Sequence, residues 1–350
     1  MIDKKIKSNE KFKVALVIGA GAFGTAMAQV LSQNFDKVIL KVRSPDIYEA
    51  IKNGENSIYL PGLKIAKNID AALSWDEVDA IEGEIQLIVS ALPTAGISEY
   101  FKENYDRFLS YFINRIPLVS LSKGIDPETL ELSDDLFFDM YPHFKDQFCF
   151  LSGPSFAHEI MQEQITLVTL AGRSRKVLEN VSVMMNTTSF KVLASYDVKG
   201  VLLGGALKNI LAIAGGVIEG LGYNHNTRAA MITRGIAEML RFGAVYNARP
   251  ETFYGLSGMG DLILTTTGDL SRNKSFGLEL AKGRKAEEII RSQRSVVEGY
   301  KTAKAAHFIS EQFEIRASIF NGVYEVLYKD QPPKEVITKL MQSPSRFEIH

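Results

Sequence analysis

The sequence predicts an α/β domain on a doubly wound, mostly parallel sheet, followed by an all-helical C-terminal domain. Two observations carry this. Short apolar runs alternate with helix-like patterns up to about residue 195, and from Asp197 long helical patterns replace them. The runs are apolar almost throughout, as strands are in a sheet covered on both faces. No Pro/Ser-rich tether separates the parts, and the pattern divides the chain into domains over residues 12–195 and 196–340.

The elements follow in order. Residues 13–18 form a β-branched strand that ends in glycines, and residues 25–31 read as the next helix. Further strands are expected at 37–42, 85–92 (stopped by Pro93), 117–121, 148–151, 165–171 and 190–194. The helical part reads as 198–221, 227–246, 296–313 and 316–328, with Pro332, Pro333 and Pro344 punctuating a tail. No internal repeat is visible. Trp75 and the phenylalanines read as core.

Composition excludes several classes. Of 350 residues, 40 are Lys or Arg and 41 are Asp or Glu, a net charge of −1. Such a balance offers no bulk attraction to nucleic acid or to an anionic membrane. Hydrophobic residues at 46% and charged residues at 23% rule out disorder and low-complexity architectures. The single cysteine, Cys149, precludes an intrachain disulfide and points to a reduced, cytoplasmic compartment. Residues 1–13 are Lys-rich and lead straight into a strand, without the pattern of a signal peptide. Residues 201–221 are long and apolar but contain Lys208, Asn209 and Glu219. A central Lys costs roughly 2.5–3.5 kcal/mol on insertion scales, so a buried helix is expected there and not a transmembrane segment. Its polar pair must find partners or do chemistry.

Gly19-Ala20-Gly21-Ala22-Phe23-Gly24 is G-x-G-x-x-G between a strand and a helix, the context a dinucleotide fingerprint requires. Gly19 permits the tight turn, Gly21 lets backbone approach a pyrophosphate, and Gly24 lets helix pack on strand. The helix N-terminus then offers N–H groups to the phosphates. The second strand ends Leu40-Lys41-Val42-Arg43-Ser44, with no acid for a ribose 2′-hydroxyl. Arg43 against a 2′-phosphate predicts NADPH in preference to NADH.

Ser122-Lys123-Gly124 follows a strand, where doubly wound folds place ligands. With Lys208, it supplies two lysines suited to an oxyanion that develops during hydride transfer. Burial and a neighbouring cation both ready a lysine for proton transfer. Gly258-Met259-Gly260-Asp261 reads as a loop delivering a carboxylate, and Ser271-Arg272-Asn273 as donors for a phosphate. His143, His158, His225, His307 and His350 show no metal-ligand spacing, and no catalytic metal is expected. No G-x-S-x-G occurs.

The glycine fingerprint, Leu121-Ser122-Lys123-Gly124, Ser152-Gly153-Pro154-Ser155-Phe156-Ala157, Gly204-Gly205-Ala206-Leu207-Lys208-Asn209 and Ser271-Arg272-Asn273 occur in that order. Together they resemble NAD(P)-dependent glycerol-3-phosphate dehydrogenase of the bacterial type, over about residues 14–300. The resemblance implies a Rossmann-like dinucleotide-binding domain and a helical substrate and catalytic domain. It implies reversible reduction of dihydroxyacetone phosphate to sn-glycerol 3-phosphate with NADPH or NADH, supplying a phospholipid backbone, in a homodimer. Lys208 then matches the catalytic lysine, and Lys123 a second lysine that contacts substrate and cofactor. Asn209 and Asp261 would orient Lys208 and the substrate hydroxyl. Gly153, Ser155, Asp261, Ser271, Arg272 and Asn273 match substrate positions. Ala22, Phe23, Arg43, Ala157, Arg272, Val296 and Glu298 match cofactor positions. Many bacterial members carry Ser where this chain has Ala22, which loses one side-chain contact to phosphate.

Two alternatives share parts of this pattern. A β-hydroxyacid or ketopantoate-type reductase would need neither Arg272-Asn273 nor the G-P-S-F-A block. A non-catalytic NADPH-binding module would have no use for Lys123, Lys208 and Asp261.

Overall fold

The computed structural model describes residues 10–292 and 297–342. The chain divides into two compact units, Met1–Lys123 with Glu131–Leu202 and Gly124–Leu130 with Leu203–His350.

Eight strands form the sheet of the first unit: β1 (Phe12–Ile18), β2 (Phe35–Lys41), β3 (Ile69–Ala72), β4 (Ile85–Ser90), β5 (Leu118–Ser120), β6 (Phe148–Ser152), β7 (Thr166–Gly172) and β8 (Phe190–Ser195). Their order is β3-β2-β1-β4-β5-β6-β7-β8. Only β6 and β7 pair antiparallel, so β7 and β8 run against the other six. The chain runs outward from β1 to β3, then returns to β4 on the opposite side of β1. Doubly wound sheets bind ligands beyond the strand ends at that reversal. β3 was not anticipated. Its sequence, Ile-Asp-Ala-Ala, is too short and polar to show an apolar run.

Side chains alternate between the two faces of each strand. Ala15, Val17, Leu40, Val89, Val119 and Leu151 join helix Ala22–Ser32 in an aliphatic core. Phe148 and Phe150 alternate with these residues and meet aromatic helices. The Phe148 ring lies 4.9 Å from Phe112, edge-on, and 5.4 Å from Phe137. Trp75 corrects the expectation of a core residue, because it is only half-buried. One edge meets Phe108 at 5.9 Å, while Arg107 and Lys41 stand 4.5 and 5.4 Å from its ring centroid. Its indole is a platform for cations. In the same unit Lys199 bridges buried Asp134 at 2.9 Å and Asp135 at 2.6 Å. Burial raises the Asp134 carboxyl to about 6, against the opposing charge of Lys199.

The second unit is helical, with no strand among its described residues. Helix Val198–Gly220 is the one described helix long and apolar enough to cross a membrane, and its most apolar 18-residue stretch is wholly buried. Glycines bring it against helix Arg272–Ala281. A Cβ at Gly216 would stand 2.0 Å from the Lys274 carbonyl oxygen, and one at Gly277 would stand 2.1 Å from that of Ile213. Larger residues would force the two backbones apart.

Candidate active site

In the first unit the site is built on the turn after β1. Gly19 has φ +96°, and a Cβ at Gly24 would lie 2.1 Å from the Gly19 carbonyl oxygen. Both positions therefore require glycine. A Cβ at Gly21, by contrast, would meet nothing within 4 Å. The helix that Gly21 opens has no side-chain cap, and its first residues are Ala22 and Phe23. Free space above uncapped N–H groups is the cradle a pyrophosphate needs, so these residues fit a dinucleotide. Asn56 holds the turn: its Nδ2 donates to the Ala20 carbonyl oxygen at 2.9 Å and to Thr25 Oγ1 at 2.8 Å. No motif marks Asn56 in the sequence. Arg43 stands exposed just beyond β2.

The segment after β5 supplies Lys123. Ser122 Oγ donates to the Leu92 carbonyl oxygen at 2.7 Å, which ties this segment to the one following β4. Lys123 Nζ donates to the Gly153 carbonyl oxygen at 2.9 Å and to Ser155 Oγ at 3.4 Å, and lies 5.6 Å from the Phe23 ring centroid. Ser155 Oγ donates to the same Gly153 carbonyl at 2.8 Å. Gly153 has φ +144°, and a Cβ there would press to 2.9 Å from Val168 Cα. Ala157 begins helix Ala157–Met161, which packs on helix Ala22–Ser32. Lys123, Gly153, Ser155, Phe23 and Ala157 thus gather on one unit, as the sequence motifs suggest.

The second unit holds a separate group of polar side chains. Lys208, Asp261 and Thr265 are 7%, 2% and 3% exposed. Lys208 Nζ lies 2.9 Å from Asp261 Oδ1 and donates to Thr265 Oγ1 at 2.9 Å. The Thr265 hydroxyl faces the Asp261 carbonyl oxygen and, at 3.2 Å, its Oδ1. Asp261 is not on a loop, which corrects the sequence expectation. Residues Leu256–Gly260 form a π-helical turn, and Asp261 opens helix Asp261–Thr267. The glycines serve packing: a Cβ at Gly258 would lie 2.2 Å from the Phe253 carbonyl oxygen, and one at Gly204 would lie 2.6 Å from that of Ser257. Gly204 stands one helical turn before Lys208, so the close approach of this turn brings Asp261 to the lysine. Thr265 was missed because one threonine in an unremarkable segment carries no spacing signal.

Asn209 Oδ1 accepts from Asn273 Nδ2 at 2.9 Å, and Asn273 Oδ1 accepts from the Gly299 N–H at 3.1 Å. Ser271 caps the next helix, its Oγ accepting from the Lys274 N–H at 3.2 Å. Arg272, the first residue of that helix, is exposed. Glu298 opens helix Glu298–Gln312 beside buried Gly299. Val296 lies outside the described residues. Among the described residues no three His, Cys, Asp or Glu side chains gather to hold a metal ion.

A family model described as NAD-dependent glycerol-3-phosphate dehydrogenase N-terminus matches residues 13–178, and its C-terminus counterpart matches residues 197–338. A glycerol-3-phosphate dehydrogenase [NAD(P)+] of Solidesulfovibrio magneticus is 40% identical over 326 residues, 93% of this chain and 97% of its own length. One from Leptospira biflexa is 40% identical over 334 residues, 95% of this chain and 98% of its own. The crystal structure of glycerol-3-phosphate dehydrogenase from Coxiella burnetii superposes with a TM-score of 0.85 at 28% identity, covering 95% of this chain and 99% of that one. A D-mandelate dehydrogenase structure, at 12% identity and a TM-score of 0.54, shares the fold alone.

Proposed function

The chain belongs to the NAD-dependent glycerol-3-phosphate dehydrogenase family, and we propose that it reversibly reduces dihydroxyacetone phosphate to sn-glycerol 3-phosphate with NADPH or NADH. The observation that supports this most is the buried Lys208–Asp261–Thr265 group, a proton source with its two anchors. A bound nicotinamide supplies the hydride. Negative charge then builds on the carbonyl oxygen, and Lys208 donates a proton to it as general acid. Asp261 and Thr265 hold the ammonium in place. Lys123 adds positive potential. Arg272 and Asn273 grip the substrate phosphate, which fixes the ketone for reaction. Gly153, Ser155 and Ser271 complete the substrate contacts.

Gly19, Gly21, Ala22, Phe23 and Gly24, with Ala157, would hold the cofactor. Arg43 faces the 2′-phosphate, and the ratio of NADPH to NADH affinity in Arg43→Ala reports that role. Residues 12–195 act as the dinucleotide domain and 196–340 as the substrate domain. The enzyme works in the cytoplasm as a homodimer, and its product serves phospholipid synthesis. The test is a cofactor-oxidation assay with purified protein. Substrate-dependent oxidation of NADPH by dihydroxyacetone phosphate, and not by a panel of 2-keto acids, is expected. Turnover of a keto acid in its place would overturn the substrate assignment.

A further inference from the structure

The helical unit holds a second recess whose lining includes none of the residues placed in the active site. It is a cavity of about 600 Å³, of the size that takes small organic ligands. Its body is hydrocarbon, formed by Ile213, Val217, Met231, Val323, Val336 and Leu340. Most of these side chains are already withdrawn from water, so the cavity is a slot between packed helices and not a scatter of surface residues.

Its polar groups are one-sided. Arg234, Arg241 and Arg316 line it together with a single carboxylate, Glu238. That carboxylate is already engaged. Both of its oxygens accept from the Ile319 N–H at 3.0 Å, and Oε2 also accepts from the Phe320 N–H at 3.2 Å. Glu238 therefore satisfies the first turn of helix Ser318–Tyr328. Arg241 Nη1 donates to the Arg316 carbonyl oxygen at 2.8 Å, which holds two of the three cations at one place. Among the described residues none of the three arginines forms an ion pair. Burial, and then the charges of Arg316 and Arg234, push the Arg241 guanidinium down from its ordinary value. Among the described residues, Glu238 is the one carboxylate that opposes these charges, and its oxygens are already taken by backbone N–H groups, so three cations facing one engaged anion are stabilised by an anion from outside, and guanidinium forks suit a carboxylate or phosphate.

We propose that this cavity binds a single-chain amphiphile with an anionic head, its hydrocarbon between the helices and its head against Arg234, Arg241 and Arg316. Neither half of the recess selects such a ligand alone. An apolar slot would take any hydrocarbon, and an arginine cluster any small anion. Together they call for both features on one molecule.

Calorimetric titration of the full chain with dodecanoate and with dodecyl phosphate, below micelle-forming concentrations, tests this. Saturable binding of one or both at one per chain is expected, and the stronger of the two identifies the head as carboxylate or phosphate. Arg234→Ala/Arg316→Ala should weaken it at least tenfold, and both of these arginines are exposed, so the fold should tolerate their loss. Val326→Trp, which fills the slot, should weaken it similarly. Equal binding of dodecyl maltoside would overturn the proposal by removing the charge requirement. Equal binding of inorganic phosphate would overturn it by removing the chain. Failure to bind either amphiphile, with sedimentation showing self-association that Val326→Trp abolishes, would mean the recess is filled by a second copy of the chain. These readouts do not involve turnover and stand apart from the dehydrogenase assignment.

Discussion

Lys208 Nζ stands 2.9 Å from Asp261 Oδ1, with both side chains more than nine-tenths buried. Charges in such a setting depend on each other, because removing one leaves the other buried and unpaired. Lys208→Met is expected to lower the stability to denaturant by about 3–5 kcal/mol. The double variant Lys208→Met/Asp261→Asn should recover much of that loss while remaining inactive. Urea unfolding of the wild type, Lys208→Met, Asp261→Asn and the double variant measures the cycle. A double variant destabilised by the sum of the two single losses would show that the pair is not coupled.

Thr265 accepts from the Lys208 ammonium and is replaced almost isosterically by valine. A hydrogen bond to a charged group contributes about 1.5–3 kcal/mol. Thr265→Val should therefore lower kcat by roughly 10- to 100-fold, and Thr265→Ser should restore most of it. If the valine and serine variants are equally impaired, the methyl packing matters and not the hydroxyl.

Arg272 is exposed at the start of its helix, so replacing it should disturb the fold little. Arg272→Ala should raise KM for dihydroxyacetone phosphate by about 10- to 150-fold, from the loss of a charge-assisted contact. Any turnover of unphosphorylated dihydroxyacetone should fall far less. Parallel losses on both ketones would remove Arg272 from the phosphate site.

Asp134 ties stability to pH through its burial, which outweighs its bridge to Lys199. Its carboxyl is raised to about 6 in the folded chain, mainly by burial. The folded state then holds the proton more tightly than the unfolded one. Stability from this group is full below the ordinary carboxylate range and is lost as pH rises to about 6. The slope is at most about 1.4 kcal/mol per pH unit. Asp134→Asn should flatten that part of the profile, and Lys199 keeps Asp135 at 2.6 Å as a partner. Denaturation midpoints across this window check the sign. A wild-type profile that rises with pH there, and loses its rise in Asp134→Asn, would contradict it.

Much of the fold was legible because it rests on local patterns. Short apolar runs locate seven of the eight strands, and the change to helical periodicity at Asp197 locates the start of the helical part. What was hidden depends on tertiary contacts. β3 is four residues long with Asp70 in its middle, and it exists because β2 offers it an edge. Asp261 sits near glycines that suggest a loop, yet Gly204 and Gly258 use their missing side chains to pack a turn against the long helix. Lys208, Asn209, Asp261 and Asn273 stand out as polar groups in apolar or glycine-rich surroundings. Thr265 and Asn56 do not, since single hydroxyl and amide residues announce nothing until their partners are in view. The helix cap made by Ser271 Oγ was likewise not read from its motif.

Lys208 is proposed to protonate the developing alkoxide. The most direct test is steady-state reduction of dihydroxyacetone phosphate by Lys208→Ala, with NADPH affinity measured separately on the same protein. Unchanged NADPH binding and a kcat lower by about 10²–10⁴-fold are expected. Near-normal turnover by a variant that still binds NADPH would contradict that role.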